Sequence, residues 1–583
     1  TGSTLLGSES YSYDSSDRPV RTTTTDSSGN VTQDISWTYN SSEKVSSMTE
    51  SIGGVSYTYN YAYDNDKRPV SVSFGGIIGA IAYDGFSRMI SQTVTSGGNN
   101  VLTTDYTYRN IDGTYTSTQV ASLHNSYGDE EDSFSYTYDA NGNITGISGS
   151  QTAQYEYDAL GQLVWEKNAA AGKAWQYSYD NGGNILSRTT YDYDGSNTTN
   201  PETVNYSYTD STWGDLLTAY DGQAITYDGI GNPLSYRGWT MSWQGGRQLA
   251  SMTGASSSLS FDYGESGLRL SKTCTVDDSS TVHTYTWNGD LLSSDIYGGN
   301  SLYFHYDANG SPMGFTLVNS AGSTEYFYVK NLQGDILKVI DAAGTVHAAY
   351  TYDAWGNILS SSGTMASINP LRYRGYYYDA ETGLYYLQSR YYDPEVGRFI
   401  NADSYASTGQ GIIGCNMFAY CLNNPVIFAD FTGSLGELVI FPLLAALTPI
   451  VYTAAVTITA VAAVVAVAYL VYTAADYVND VVSQAKKSSA KSSGNVRVDT
   501  GGGTASPPPP PDNKHDAKEF IKSPKNARQV LSYLKDQGFK IVSQNGSHVK
   551  LVNDSRTVIV PNHGGKDIAM GTLKSIMRQA GLL

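Results

Sequence analysis

The sequence predicts a mainly β repeat array, followed by an apolar helical segment and a small α+β domain at the C-terminus. Three observations predict this fold class. Tyr (49 residues) and Gly (59) are abundant while charged residues make up only 16%, which is typical of sheets joined by many turns. Short Tyr-Asp units recur through residues 1–433. The composition then changes twice, first to an uncharged stretch and later to a basic module.

Each repeat unit combines a strand signal with a turn signal. Examples are YTYDANGNI at Tyr136–Ile144, YSYDNGGNI at Tyr177–Ile185 and YTYDAWGNI at Tyr350–Ile358. Tyrosines two residues apart predict a strand with its aromatic side chains on one face. The aspartate is expected to bond the backbone two or three residues on, and the glycine permits a positive φ. The units therefore predict β-hairpins that stack about every 20 residues into a long sheet.

These Tyr-Asp units resemble the RHS/YD-repeat family. The resemblance becomes specific in Asn369–Ser404, which contains PLRYRGYYYD, ETGLYYL and RYYDP. It implies that residues 1–435 form a β-shell around a variable C-terminal toxin, with the RHS-associated core at about 369–433. The repeats alone leave a second interpretation open, a surface adhesion or sugar-binding protein that carries no cargo.

Two aspartates of the core are candidates for autoproteolysis. Some RHS relatives cleave themselves with paired Asp residues after an Asp-Pro-x-Gly-Leu sequence, and the corresponding place here is DFTGSL at 430–435. Asp403 and Asp430 are the candidate carboxylates, since a pair that shares a proton can transfer it. Phe431 replaces the proline, and the leucine is displaced by one position. This damaged motif favours the alternative that both aspartates are turn residues.

Residues 436–482 are predicted to interact with a membrane. No charged residue occurs from 438 to 475, and about 20 apolar residues suffice to span a bilayer. One helix over 451–472 or a tight helical hairpin would fit; the alternative is an apolar plug packed inside the shell.

Residues 483–515 are predicted to be a Ser/Gly/Pro linker. Its five consecutive prolines, 507–511, favour a stiff spacer over a peptide ligand for another domain.

The C-terminal module, residues 516–583, predicts a compact domain that binds nucleic acid. From Lys514 onward nine Lys and three Arg face five acidic residues, a net charge of +7, whereas the whole chain carries −19; such a basic module suggests a polyanionic partner. Ser523 and Pro524 predict a helix start and Gly538 its end. The predicted order is αβββα, as in double-stranded-RNA-binding domains. After the first helix come strands at 539–542, 548–552 and 557–560, and a second helix at about 570–579.

The module resembles the HicA (YcfA-like) toxin family. The matching elements, in order, are Gly538-Phe539, Gly546-Ser547-His548, Val560-Pro561-Asn562-His563, Lys566, Gly571-Thr572-Leu573 and Gln579-Ala580-Gly581. The resemblance implies a small ribonuclease that cleaves messenger RNA and is neutralised by a HicB-like antitoxin or immunity protein. It also implies that the essential histidine of the Gly-Ser-His turn is His548. One departure is Val549, where a second histidine is frequent.

The candidate chemistry needs no metal. His548 can act as general acid or base on a ribose 2′-hydroxyl, because its ordinary pKa of about 6.5 lies near neutrality. Lys550 and His563 are candidates for catalytic or transition-state support. Candidate RNA contacts are Lys540, Lys566, Lys574 and Ser547. The alternative is a polar histidine beside a hairpin, in a tail that binds RNA without cleaving it.

The cysteines and the chain start complete the expectations. Cys274, Cys415 and Cys421 have no metal-ligand spacing, so we expect no disulfide framework, metal or other cofactor. The first residue lies within repeat-like sequence, and we expect the C-terminal part of a longer bacterial protein. That protein would be secreted or associated with the cell surface, and its toxin domain would act in the target-cell cytoplasm.

Overall fold

The computed structural model describes residues 7–111, 115–404, 413–434, 437–438, 525–537, 539–545, 548–553, 556–561 and 567–568, together with 573, 576, 577 and 580. The chain divides into two units, 1–468 and 469–583. Except for Leu438, the apolar segment 438–475 lies outside the described residues, and so does the linker 483–515.

The first part of unit 1 is a meander of 19 strands within the described residues. Each strand pairs antiparallel with the next one along the chain. In order, β1–β19 are Gly7–Tyr13, Pro19–Asp26, Val31–Tyr39, Val45–Ile52, Val55–Tyr63, Pro69–Phe74, Ile77–Tyr83, Met89–Ser96, Asn99–Ile111, Tyr115–Tyr127, Glu130–Tyr138, Ile144–Gly149, Ala153–Tyr157, Leu163–Asn168, Lys173–Tyr179, Ile185–Tyr193, Thr198–Ser207, Ala219–Tyr220 and Gln223–Ala224.

A second meander follows with the same connectivity. Its 14 strands again pair with their sequence neighbours, all antiparallel. In order, β20–β33 are Thr226–Tyr227, Pro233–Tyr236, Trp239–Gln244, Gln248–Thr253, Ser257–Tyr263, Arg269–Val276, Ser279–Asn288, Leu291–Tyr297, Asn300–Tyr306, Pro312–Asn319, Gly322–Lys330, Ile336–Ile340, Val346–Tyr352 and Ile358–Ser362. The mainly β architecture predicted from the Tyr-Asp units is confirmed for this unit.

The turns between strands are built by the repeated aspartate. In the turn after β11, Asp139 Oδ1 accepts the N–H groups of Asn141 and Asn143, both at 2.9 Å, and Asp139 Oδ2 accepts the Asn143 side chain. Gly142 has a φ of +89°, which suits glycine. The aspartate thus bonds two and four residues on, so the expectation of two or three residues was only half right. The bond to the fourth residue on closes a turn of five residues, which includes the glycine at its fourth position.

The tyrosine that ends the strand before a turn, in most repeats the one before the aspartate, links neighbouring hairpins. Its hydroxyl donates to a backbone carbonyl in or next to an earlier returning strand, as Tyr138 does to Val120 at 2.8 Å and Tyr179 to Leu163 at 2.6 Å. The same bond recurs from Tyr39, Tyr63, Tyr83, Tyr108, Tyr157, Tyr208, Tyr227, Tyr306 and Tyr352. The Tyr-Asp pair therefore builds one turn and ties it to the previous repeat.

A closing segment of short elements packs between the two meanders. It comprises β34–β37 (Tyr377–Asp379, Leu384–Leu387, Arg390–Asp393, Arg398–Phe399), the pair β38–β39 (Phe428–Ala429, Glu437–Leu438) and three 3-10 turns (Tyr373–Gly375, Ile413–Cys415, Cys421–Asn423). Asn423 Nδ2 donates to Gln162 Oε1 of the first meander at 2.8 Å. Arg269 of the second meander forms a buried ion pair with Asp379 at 2.7 Å. The closing segment therefore holds both meanders.

Unit 2 contains one helix and a small sheet among its described residues. Helix α1 spans Ala527–Asp536, and β41–β43 (Lys540–Asn545, His548–Asn553, Arg556–Pro561) form an antiparallel sheet. The short strands β40 (Lys525–Asn526) and β44 (Asp567–Ile568) pair with each other. The expected helix start at Ser523-Pro524 was wrong: the helix begins at Ala527, because 525 and 526 are extended and Asn526 occupies the capping position that Asn favours.

The core of unit 2 lies between α1 and the sheet. Val530 and Leu534 of the helix pack with Leu551, Val558 and Val560 of the sheet, all fully buried. Leu573, Ile576 and Met577 also belong to this core. Most of the second predicted helix falls outside the described residues, so the complete αβββα order stays a prediction.

Candidate functional sites

The two candidate aspartates of the closing segment meet at one arginine. Arg390 begins β36, and its Nη2 lies 3.0 Å from Asp403 Oδ2 and 3.3 Å from Asp430 Oδ2. All three residues are buried. Asp403 and Asp430 come from chain positions 27 residues apart and follow different elements, so only the tertiary fold unites them. The pair is bridged by a cation, which differs from two carboxylates sharing a proton.

Sequence reasoning missed Arg390. Burial lowers the pKa of its guanidinium, although the charges of Asp403 and Asp430 act to raise it. A guanidinium that stays protonated can neutralise one of the two carboxylates and donate to both. The signal was present in the RYYDP motif, where the arginine directly precedes two consecutive tyrosines in a fully buried strand. Arginines are rarely buried without paired carboxylates.

The chain after Asp430 is fixed by the same neighbourhood. The Gly433 carbonyl accepts hydrogen bonds from Arg390 Nε and from Ser389 Oγ, the latter at 2.8 Å. Ser434 N–H donates to Asp430 Oδ1 at 2.9 Å. Gly433 has a φ of +73°, and a Cβ there would lie 2.5 Å from the Leu387 carbonyl oxygen, so glycine is required. Leu435, which corresponds to the end of the motif after which some RHS relatives are cleaved, lies outside the described residues.

The second candidate site is carried by strand β42. His548 is its first residue and pairs with Asn545 of β41 and Pro561 of β43. Because the β42–β43 register is unbroken, positions 548 and 550 share one face of the sheet. Leu551 is buried in the core, which places the positions of His548 and Lys550 on the other face.

The remaining predicted RNA-binding and catalytic residues are only partly described. Lys540 begins β41 and is exposed. Ser547, His563, Lys566 and Lys574 lie outside the described residues. The structure therefore brings His548 and Lys550 together on one strand, while the surroundings predicted for them stay predictions.

Family models match both parts of the chain. The model of the Teneurin YD-shell matches residues 10–240 and 315–426, well over half of the sequence. The chain belongs to the Teneurin YD-shell family. The model of the HicA toxin of bacterial toxin-antitoxin systems matches residues 527–582. The resemblance to RHS/YD-repeat polymorphic toxins with a C-terminal HicA domain is thus confirmed.

Several curated relatives are named as toxins or nucleases. The tRNA nuclease WapA of Bacillus subtilis (strain 168) is 34% identical over 288 residues, covering 48% of this chain and 12% of that protein. Toxin protein Tse5 of Pseudomonas aeruginosa is 29% identical, covering 53% and 20%. Toxin subunit YenC1 of Yersinia entomophaga is 26% identical, covering 64% and 47%. The chain thus spans less than half the length of each of these relatives.

Solved structures agree on the fold. The crystal structure of TcdB2-TccC3-Cdc42 superposes with a TM-score of 0.51 at 18% identity, covering 76% of this chain and 22% of that chain. At this identity the likeness concerns the fold alone. Among the residues that the structure describes, no helix combines the length and apolar character needed to cross a membrane.

Proposed function

We propose that this chain is part of an RHS-type polymorphic toxin whose C-terminal domain is a metal-independent endoribonuclease that cleaves messenger RNA. The observation that carries the proposal is the HicA match over residues 527–582, which includes the strand that begins at His548. The nuclease and toxin names of the relatives support a nuclease payload. The YD meanders are the carrier.

In the proposed mechanism His548 exchanges a proton with the ribose. As general base it takes the proton of the 2′-hydroxyl, whose oxygen attacks the adjacent phosphorus; the 5′-oxygen leaves and takes up a proton, giving a 2′,3′-cyclic phosphate. Lys550, on the same face of β42, stabilises the charge that develops on the phosphorane. His563 is the other candidate acid. Lys540, Lys566, Lys574 and Ser547 bind phosphates, and the need for a 2′-hydroxyl restricts the enzyme to RNA.

The proposal extends to partners and delivery. The domain is basic, so a HicB-like immunity protein would cover it with an acidic surface. Residues 438–475 would contact the target-cell membrane on the way to the cytoplasm, after the longer protein has been secreted or displayed by a bacterium. The competing function is adhesion by the YD repeats with a non-catalytic RNA-binding tail.

The test compares His548→Ala with the wild-type chain in a bacterial host under a repressed promoter. We expect the wild type to arrest growth and to leave RNA fragments with 2′,3′-cyclic phosphate ends, and His548→Ala to lose at least about 100-fold in cleavage, the usual contribution of a general acid or base. His515→Ala, a histidine in the linker, is the matched control and should behave as wild type. Cleavage that survives His548→Ala overturns the assignment. Fragments from transfer RNA alone would change the substrate.

Self-cleavage after the closing segment is a second candidate activity. It is favoured by the buried contact of Asp403 and Asp430 with Arg390, beside a chain segment whose Gly433 carbonyl is held by two donors. We expect the mass spectrum of the purified chain to show two fragments, whose masses place the cleaved bond near residue 435. The variant Asp430→Asn should show only the mass of the intact chain. The control variant Asp228→Asn, which changes an ordinary turn aspartate, should still be cleaved into two fragments. A single intact mass for the wild type would exclude the activity.

A further inference from the structure

Unit 1 contains a cavity of about 450 Å³. Its walls come chiefly from β7–β9 of the first meander, from the turns that follow β28 and β30 in the second, and from the closing segment around Arg374. The volume lies within the range of about 300–1,000 Å³ that is usual for small-molecule sites. The aspartates and the arginine proposed for self-cleavage do not line it, so the cavity is a separate site.

Aromatic and apolar side chains form much of the wall. Tyr106, Trp287, Tyr306 and Tyr386 line the cavity together with Met313. Aromatic rings and a methionine thioether adapt to the body of a small organic molecule and contribute through the area that they bury. A ligand with an aromatic or aliphatic body is therefore favoured.

The charged and acidic groups of the wall favour an uncharged ligand. Asp307 Oδ2 accepts a hydrogen bond from Gln92 Nε2 at 2.9 Å, and its Oδ1 accepts two backbone N–H groups of its own turn. Arg374 is paired with Asp335 at 2.8 Å. Burial raises the pKa of Asp290, which favours its neutral form. A charged ligand would find these groups already engaged.

Some polar atoms on wall residues have no hydrogen-bond partner among the described residues. They are both amide atoms of Asn309, Gln333 Oε1 and Arg374 Nε. Because they include donors and acceptors, a neutral substituent such as a hydroxyl, which donates and accepts, suits them better than a charged group.

Lys330, the last residue of β30, is a wall lysine held by neutral groups. Its Nζ donates to Ser311 Oγ and to the Pro312 carbonyl, both at 2.6 Å. By contrast, Lys338 of the next strand is paired with the Asp132 carboxylate at 2.8 Å. Burial lowers the pKa of Lys330, although the charge of Asp307 acts to raise it. The surroundings of Lys330 therefore favour a neutral amine.

A neutral lysine amine in such a place is a nucleophile. It carries two N–H groups, which match the two acceptors on Ser311 and Pro312, and one lone pair, which neither contact uses. An ammonium group would have a third N–H and no lone pair. Desolvated lysines react with carbonyl compounds to form Schiff bases, because the lone pair attacks the carbonyl carbon. The cavity gives such a compound a place to bind beside Lys330.

We propose that Lys330 is a covalent attachment site for a small, uncharged aldehyde with an aromatic or aliphatic body. The amine adds to the carbonyl carbon: a C–N bond forms as the C=O π bond opens, and one N–H proton moves to the oxygen. The hydroxyl then leaves as water with the second N–H proton, and an imine remains, with no change of oxidation state. Ser311 Oγ, 2.6 Å from Nζ, can relay both protons. This inference does not depend on the ribonuclease activity.

The experiment treats the full-length chain at pH 7 with a small excess of benzaldehyde and with cyanoborohydride, which reduces an imine to a stable amine. Peptide mass spectrometry then locates and times each modification. We expect Lys330 to be modified at least about tenfold faster than Lys338, since each unit by which a pKa falls raises the neutral fraction of an amine tenfold. The α-amino group of the chain reports that the probe is active. Equal rates at Lys330 and Lys338, or modification of the α-amino group alone, would overturn the proposal.

Two further measurements separate the cavity from the amine. Met313→Trp fills part of the cavity and keeps Lys330 with both of its acceptors, so the rate at Lys330 should fall several-fold while the rate at Lys338 stays the same. Benzyl alcohol has the shape of the probe without its carbonyl group, and an excess of it should slow the wild-type reaction at Lys330 alone; this arm needs no variant to fold. A rate at Lys330 that benzyl alcohol leaves unchanged, or that Met313→Trp leaves unchanged at an unaltered melting temperature, would contradict binding in the cavity.

Discussion

At the scale of single residues, Glu166 shows how the fold uses a buried carboxyl group. Both of its oxygens lie within hydrogen-bond distance of the Ala354 N–H, at 3.0 and 2.9 Å, and the side chain is 1% exposed. Burial and the neighbouring Asp353 raise the pKa of Glu166 well above its usual value. Burial also raises the pKa of Asp353, against which the Asn357 hydrogen bonds and Arg188 act. Two adjacent carboxyl groups thus resist ionisation together.

This arrangement predicts a stability that falls as pH rises. A carboxyl group whose pKa is raised by folding contributes fully below its unfolded pKa, about 4.3 for Glu, and the contribution is lost as pH rises through the folded pKa. Glu166→Gln stays neutral and can still accept from Ala354. We expect the melting temperature of the variant, measured by calorimetry, to exceed that of the wild type by more at pH 8 than at pH 4.5. An equal difference at both values would show that Glu166 is ionised in the folded chain.

At the scale of elements, the unit of construction is the tie between successive hairpins. Tyr138 closes the strand before its turn and donates to the Val120 carbonyl, 18 residues earlier. Removing a hydrogen bond to a half-buried carbonyl costs about 1 kcal/mol. Tyr138→Phe should therefore lower the free energy of unfolding by about 1 kcal/mol in urea titrations. Tyr13→Phe, at a tyrosine that is 51% exposed, should change it little; equal losses would mean that the hydroxyl tie is not the cause.

The sequence predicted these elements unevenly, for physical reasons. The Tyr-Asp turns are encoded within nine residues, so their existence could be predicted. The tie from Tyr138 to Val120 depends on how hairpins stack, which no local pattern contains. The meeting of Asp403 and Asp430 at Arg390 depends on contacts across the closing segment. In unit 2 the helix start moved to Ala527, since the pairing of β40 with β44 overrode the capping signal at Ser523-Pro524.

At the scale of the whole YD unit, the closing segment is fastened by buried polar contacts at several places. Asn424 Nδ2 reaches Asn143 Oδ1 of the first meander at 3.0 Å. On the second meander, Asp379 accepts from both Arg269 and Lys272, at 2.7 and 2.9 Å. Burial acts to raise the pKa of Asp379, but the two cations lower it to about 2. The side chains of Arg269, Lys272 and Asp379 are only 1–2% exposed, so their charges are stabilised by one another rather than by water.

Removing the anion from this cluster should weaken the whole unit. Asp379→Asn would leave Arg269 and Lys272 buried with only Glu381, which also contacts Lys272 at 3.0 Å, and breaking a buried pair in this way costs about 3–5 kcal/mol. Asp192→Asn removes a surface pair with Lys173 and should cost no more than about 1 kcal/mol. Urea titration followed by tryptophan fluorescence compares the free energy of unfolding of the two variants.

Because Asp379 joins β34 to β25, we expect its loss to release the closing segment before the meanders unfold. A protease should then cut between 370 and 434 at a lower urea concentration than it cuts the meanders. Simultaneous proteolysis of all parts would mean that the closing segment and the meanders unfold as one cooperative body.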